Sequence, residues 1–387
     1  MTTGTSRRVV LHVGLPKTGT TYLQGLLADN RDRLRDEGLL YPFLRPGGMF
    51  HAAVEVRGSH DKFGLDADLV AGSWAALCAR AREHDGTTVI SHEVLGGATE
   101  DEIAAALAPL AGLDVHVVVT ARDLARQATA HWQEEVKLGD ARSFADFERD
   151  QFRADLPPGS VPRPHFWHAQ DFGEALRRWS TAVPPERVHL VVCPPSGAPA
   201  DTLWRRFAEA LGVEPGVLDA ARPGDRVNAS LGSTQIALLR GVNASLDGGL
   251  PPALHTRVVK RLFAEQVLAA HPGTPPRAPA ELVALLDGVT RTWLPAVAAA
   301  GHPVHGELED LLPVAPPVGT PHPDDVAARD ELGVAVDALA GLLAAAARAS
   351  HEAGPAGPSP RGVADAGRPA RGPGLLRRGL ASARRRR

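Results

Sequence analysis

An apolar run that passes directly into a glycine-bracketed loop holding one lysine, and then into a leucine-rich stretch, constrains this chain more than any other feature. Residues 9–21 read Val-Val-Leu-His-Val-Gly-Leu-Pro-Lys-Thr-Gly-Thr-Thr, followed by Leu23, Leu26 and Leu27. The pattern predicts strand, tight loop and helix start. Together they form an anion cradle, because the N–H groups of a helix's first turn and its dipole both favour negative charge. Gly14 and Gly19 carry the G-x-x-x-x-G spacing of a phosphate-binding loop. Nucleotide hydrolases and kinases follow the second glycine with Lys and then Ser or Thr. Here Thr20 and Thr21 stand in those places, and the lysine lies inside the loop as Lys17. The loop still suits a phosphate, but its lysine must reach a different atom.

Four short β-branched runs, 9–13, 87–91, 114–121 and 187–193, read as strands buried on both faces. Helical spacing separates them, over Thr20–Asp36, Trp74–His84, Glu100–Ala111, the stretch after Ala121 with Leu124, Ala128, Trp132 and Val136 four apart, and Phe172–Trp179. Strands alternating with helices predict an α/β fold with right-handed crossovers. Further helices are expected over Asp201–Leu211, Ser233–Ala244, Thr256–His271, Pro279–Ala300 and Asp325–Ala347. The stretch from about 40 to 70 reads as a long irregular loop serving a site. The expected organisation is a catalytic α/β domain over 1–245, a helical part over 246–352 and a disordered tail over 353–387. The fold class is thus a P-loop-type three-layer parallel sheet with a helical C-terminal appendage.

Charge narrows the partners. The net charge is –3, but the tail from 353 carries nine Arg against Asp365, so it is +8 and the rest of the chain is –11. An acidic body argues against nucleic acid as the main substrate. The Pro- and Gly-rich tail can touch anionic lipid or RNA surfaces, or be simply solvated. Cys78 and Cys193 give no disulfide framework, no run approaches a membrane span, and the N-terminal apolar stretch is too short for a secretory signal. A cytoplasmic protein is expected.

Pro16-Lys17-Thr18-Gly19-Thr20-Thr21, with Leu23, resembles the 5′-phosphosulfate loop of sulfotransferases that use 3′-phosphoadenosine 5′-phosphosulfate (PAPS), bacterial sulfotransferase-like proteins included. The resemblance covers about residues 8–245 at motif level. It extends more weakly to 313 through His302-Pro303-Val304-His305, which is similar to a closing element of bacterial members. It implies PAPS as co-substrate, with Pro16 to Thr21 holding the 5′-phosphate and Lys17 catalytic. It also implies Arg122, at the end of the third run, as the 3′-phosphate ligand. The family's serine eight residues on is Ala130 here, with Thr129 beside it. Bacterial relatives carry Ser-x-Glu where this chain has Ser91-His92-Glu93, which makes Glu93 the first candidate general base and His92 the second. Asn228 and Ser230, in Arg226-x-Asn228-x-Ser230, resemble a donor- or acceptor-contacting segment of bacterial members.

Each of these residues also has a structural reading. Asp123 is a helix cap that would partner Arg122, His92 and Glu93 can close a strand end, and Asn228-Ala229-Ser230 is a good turn. His51 could face the acceptor, and Phe166-Trp167-His168 could stack on adenine or serve the core. No Cys/His/Asp grouping has metal-ligand spacing, so no metal is expected. The implied activity is sulfuryl transfer to a hydroxyl or amine of a small-molecule, carbohydrate or lipid acceptor. The alternatives are a P-loop nucleotide kinase or NTPase and a non-catalytic nucleotide-binding relative.

Overall fold

The computed structural model describes residues 7–152, 165–218, 230–271 and 273–352. Arg226, Asn228 and the tail from 353 lie outside the described residues. The chain forms two compact units, Met1–Leu342 and Leu343–Arg387.

The larger unit is built on β1 (Arg8–His12), β2 (Leu39–Leu40), β3 (Thr87–Ser91), β4 (Asp114–Ala121), β5 (Val188–Val192) and β6 (Val304–His305). They pair in the order β2-β3-β1-β4-β5-β6, and every pairing is parallel. All strand C-termini therefore open on one edge. The helices in chain order are α1 (Thr20–Asp29), α2 (Arg31–Asp36), α3 (Gly48–Val56), α4 (Ala67–Val70), α5 (Ser73–Glu83), α6 (Glu100–Leu107), α7 (Leu124–Lys137), α8 (Phe144–Phe152), α9 (His165–Gln170), α10 (Phe172–Trp179), α11 (Thr202–Leu211), α12 (Ser233–Leu246), α13 (Pro252–His255), α14 (Ala280–Ala299) and α15 (Ala328–Glu352). The described part of the smaller unit is helical to Glu352.

Side-chain alternation along the strands builds three layers. Val9 and Leu11 face one core with Leu77 of α5, Ile103 of α6 and Trp179 of α10. Val10, Val89, Val118 and Val191 face the other, with Leu23 and Leu27 of α1, Leu34 of α2 and Phe207 of α11. A third cluster, drawn mainly from helices, joins Trp132, Phe144 and Phe147 to Ile236, Phe263 and Leu286. The predicted α/β sheet flanked by helices, with a C-terminal helix, is the observed architecture.

Several local expectations change. The stretch 40–70 is largely helical, through α3 and α4. Its Gly47-Gly48 pair reads as a breaker, yet Met49, Ala52, Ala53 and Val56 form an apolar stripe just behind it, and Gly47 is only the residue before the helix. The predicted helix over 20–36 breaks at Asn30 into α1 and α2. β2 and β6 are two residues each, too short for any periodicity to show. Thr256–Val267 is π-helical. α14 is long and apolar enough to cross a membrane by length and composition, with a mean hydropathy of 1.3. Glu281, Asp287 and Arg291 interrupt its apolar run in sequence, which hides that property; Leu282, Val283 and Leu286 are buried in the helical cluster.

Candidate active site

Strand order decides where a ligand sits. β1 is followed by β2 on one side of it and β4 by β5 on the other, so their C-termini flank the reversal of connection direction where open α/β sheets bind ligands. The glycine loop follows β1, and Arg122 follows β4.

The loop is tightly wrapped. Gly14 has φ +50°, and a Cβ there would lie 2.6 Å from Thr20 Cγ2 and 3.5 Å from Glu93 Cβ. Gly19 has φ +82°, and a Cβ there would strike the Leu203 side chain. Lys17 adopts φ 68° although it is not glycine. Such a conformation costs roughly 1–3 kcal/mol and persists where its surroundings impose it. The restraints are visible. Gln127 Nε2 and Gln170 Nε2 donate to the Pro16 carbonyl at 2.8 and 3.1 Å. Cys193 Sγ donates to the Thr18 carbonyl at 3.1 Å. Gly19 ends the loop and no side chain caps α1, so its first-turn N–H groups are left to a ligand or water.

A buried polar chain supports the loop from beneath. Thr18 Oγ1 donates to the Leu15 carbonyl at 2.6 Å, so it must accept from Thr120 Oγ1, also at 2.6 Å. Thr120 then accepts from His12 Nε2 at 3.3 Å, which leaves His12 Nδ1 to accept from Ser91 Oγ at 2.8 Å. One neutral His12 tautomer satisfies all four groups. Burial favours that neutral form and pulls the His12 pKa down to about 4. The Thr120→Val variant breaks the chain in its middle and is expected to cost about 1–3 kcal/mol of folding stability. Denaturant unfolding checks this through a lower midpoint at unchanged slope.

Lys17 does not stand alone. Its Nζ lies 2.5 Å from Glu134 Oε2, while Lys260 Nζ lies 2.5 Å from Oε1 of the same carboxylate. Burial pushes the Glu134 pKa up, but the charges of Lys17 and Lys260 and their hydrogen bonds override it, down to about 2. Lys137 is buried nearby; burial lowers its pKa, and the charge of Lys17 lowers it further. Positive charge is thus in surplus over Glu134 beside the loop.

At the end of β3, the His92 side chain accepts from the Val94 N–H at 3.2 Å, and its ring lies 5.2 Å from that of Phe50. Gln24 Nε2 donates to Glu93 Oε2 at 3.1 Å. Burial pushes the Glu93 carboxyl up, but His92 beside it, a backbone hydrogen bond and Gln24 carry it below the usual carboxylate range. Burial alone does not decide its basicity, so Glu93 is ionised at neutral pH.

Arg122 is half-buried at the end of β4, and among the described residues its guanidinium has no hydrogen-bond or ion-pair partner. Asp123 instead caps α7 and pairs with Arg126. Burial, and then Arg126, lower the Arg122 pKa. Asp123 acts on it only through its charge, and a desolvated guanidinium with no carboxylate bonded to it among the described residues suits an incoming dianion.

No protein-family model matches this chain, and no curated protein matches it. Among solved structures it is similar to the sulfotransferase domain from the curacin biosynthetic pathway. The TM-score is 0.32 and the identity 16%, over 57% of this chain and 78% of that one. A likeness of that size assigns no activity; the site's own geometry has to.

The remaining candidates are dispersed. Thr20 is buried and Thr21 exposed at the head of α1. Thr129 is buried, and its hydroxyl donates to the Arg126 carbonyl of its own helix at 3.2 Å. Ser230 is exposed just before α12. His51 accepts from Arg45 Nε at 3.3 Å. Phe166 is fully buried, with its ring 4.7 Å from that of Phe152, and Trp167 Nε1 donates to the Gln151 carbonyl at 2.7 Å. Sequence reasoning missed His12, Thr120, Gln127, Gln170, Glu134 and Lys260. Gln127, His131 and Glu134 are a polar row spaced four and then three along one side of α7, a signal that was there to find. Nothing local marks Lys260.

Proposed function

We propose that this chain transfers a sulfuryl group from PAPS to a hydroxyl or amine of a small-molecule, carbohydrate or lipid acceptor. The observation that carries the reading is a lysine held in a strained conformation inside the loop, with an arginine across the same strand edge that has no hydrogen-bond or ion-pair partner among the described residues. A donor bearing two separate phosphates fits that pair of sites. When bound, PAPS would supply an activated sulfuryl group whose leaving group is a phosphate. The uncapped first turn of α1 and the loop backbone from Pro16 to Thr21 would hold the 5′-phosphate. Thr18 would act through its backbone, because its hydroxyl is already committed. Arg122 would grip the 3′-phosphate with its forked donors. Lys17 would bring its charge to the oxygen on which charge develops, with Glu134 holding the ammonium in place. The Glu93 carboxylate would take the acceptor's proton. These steps need positioning and charge, as in phosphoryl transfer.

A second reading has its own support. The Gly14–Gly19 spacing and the uncapped first turn of α1 also suit the phosphates of a nucleoside triphosphate, as in a P-loop kinase or NTPase. Calorimetric titration separates the two. Adenosine 3′,5′-bisphosphate is expected to bind one to one in EDTA, and Mg-ATP not to bind; the reverse pattern would establish a kinase or NTPase. Donor turnover over an acceptor panel separates an enzyme from a non-catalytic relative. The Arg122→Ala variant is expected to lose about 10–100-fold in affinity for adenosine 3′,5′-bisphosphate, the worth of a charged hydrogen-bonded contact, while adenosine 5′-monophosphate binding is unchanged. Equal losses for both nucleotides would remove the 3′-phosphate role.

A further inference from the structure

We propose that His131, Glu135 and His165 form a binding site for a zinc-class divalent metal ion that clips α9 to α7. The three residues gather one donor atom each. His131 Nε2 lies 3.0 Å from His165 Nδ1 and 3.3 Å from Glu135 Oε1. His165 Nδ1 lies 3.8 Å from the same carboxylate oxygen. A tetrahedral ion with bonds of about 2.0–2.1 Å to nitrogen and oxygen sets its donors about 3.3–3.4 Å apart. The three separations straddle that value, so the donors already stand near the spacing such an ion needs. Two imidazoles and one carboxylate are a recurrent donor set for zinc, and they leave a fourth position for water.

The surroundings support the donors. His131 is buried, with its ring against Phe147 and Phe166 at 6.0 and 5.6 Å. The spare Glu135 oxygen, Oε2, accepts from Arg142 Nη2 at 2.8 Å, which orients the carboxylate as outer partners of metal ligands do. Arg142 also pairs with Asp140 and Asp150 at 2.6 and 3.0 Å, so carboxylates outnumber it, and Arg149 offsets only part of that surplus. The His165 side chain is 54% exposed, which gives a metal a way in from solvent.

The placement has a consequence for the loop. α9 opens with His165 and closes with Gln170, whose side chain, with that of Gln127 on α7, holds the Pro16 carbonyl. Gln127 Nε2 also donates to Gln170 Oε1 at 2.6 Å, which ties the far end of α9 to α7. A metal at His165 fastens the near end to the same helix. The site is thus a structural clip beneath the glycine loop and does not depend on which group that loop binds.

The test uses full-length, tag-free protein stripped with EDTA and desalted, then titrated with Zn²⁺ by calorimetry and with Co²⁺ by visible absorption. The expected result is one equivalent of each metal and the intense bands of four-coordinate cobalt. Thermal unfolding should shift upward with zinc. His165→Asn, at an exposed position, and Glu135→Gln should each weaken zinc binding at least about 100-fold, more than the roughly 10–100-fold loss typical of an outer-shell partner. His51→Gln on α3 should bind as the parent does. Absence of stoichiometric binding, or binding that survives in either ligand variant, would show only a hydrogen-bonded histidine pair and overturn the proposal.

Discussion

Replacing Lys17 by alanine is expected to lower turnover by about 10²–10³-fold, or about 3–4 kcal/mol of transition-state stabilisation, the range for removing one preorganised charge contact. The argument is positional. A lysine after the second glycine would lie past the cradle; Lys17 lies within it, at φ 68°, with its ammonium fixed by Glu134. A fixed charge stabilises a developing one without reorganising when the bond breaks. Alanine keeps a Cβ at the same backbone conformation, so the loop strain is unchanged and the loss reports on the ammonium. The Lys260→Ala variant is the control, since it removes the other cation on Glu134 from outside the loop and should cost far less. Adenosine 3′,5′-bisphosphate, which carries the leaving oxygen fully charged, should also bind Lys17→Ala more weakly than the parent, by no more than the loss in turnover. Near-normal turnover in Lys17→Ala, or a larger loss in Lys260→Ala, would remove Lys17 from its role.

Replacing Glu93 by glutamine is expected to lower turnover by about 10²–10⁴-fold, the usual contribution of a positioned general base. Glutamine preserves the size of the side chain and a carbonyl oxygen for Gln24, so structure should be retained. The pH profile makes the assignment specific. A base works deprotonated, and the Glu93 carboxyl is held below its usual value near 4.5. kcat/KM should therefore stay level from neutrality down and fall only below that value. The Glu93→Gln variant should lose this acid limb, whereas His92→Gln should keep it. A limb in the imidazole range that vanishes in His92→Gln would transfer the role to His92.

Much of the frame was legible because its signals are local. β1, β3, β4 and β5 are Val- and Ile-rich runs whose composition alone marks them as buried, and the glycine loop is written in consecutive residues. What failed was either too short or too distant. β2 and β6 have no room for a pattern. Lys17 and Glu134 lie 117 positions apart, and Lys260 and Glu134 126 apart, so only the fold brings them together. His12 looked like one residue of an apolar strand; its function as the hub of a hydrogen-bond chain depends on β3 and β4 flanking β1. His131 and Glu135 are visibly one helical turn apart, yet the third donor, His165, belongs to another helix. Local chemistry could be read from spacing, while charge pairing between elements could not.

The most direct measurement is a crystal structure of the chain with adenosine 3′,5′-bisphosphate bound. The predicted result has the Lys17 amine within hydrogen-bonding reach of the 5′-phosphate and the Arg122 guanidinium on the 3′-phosphate. A nucleotide seated elsewhere, with that amine still committed to Glu134 alone, would contradict it.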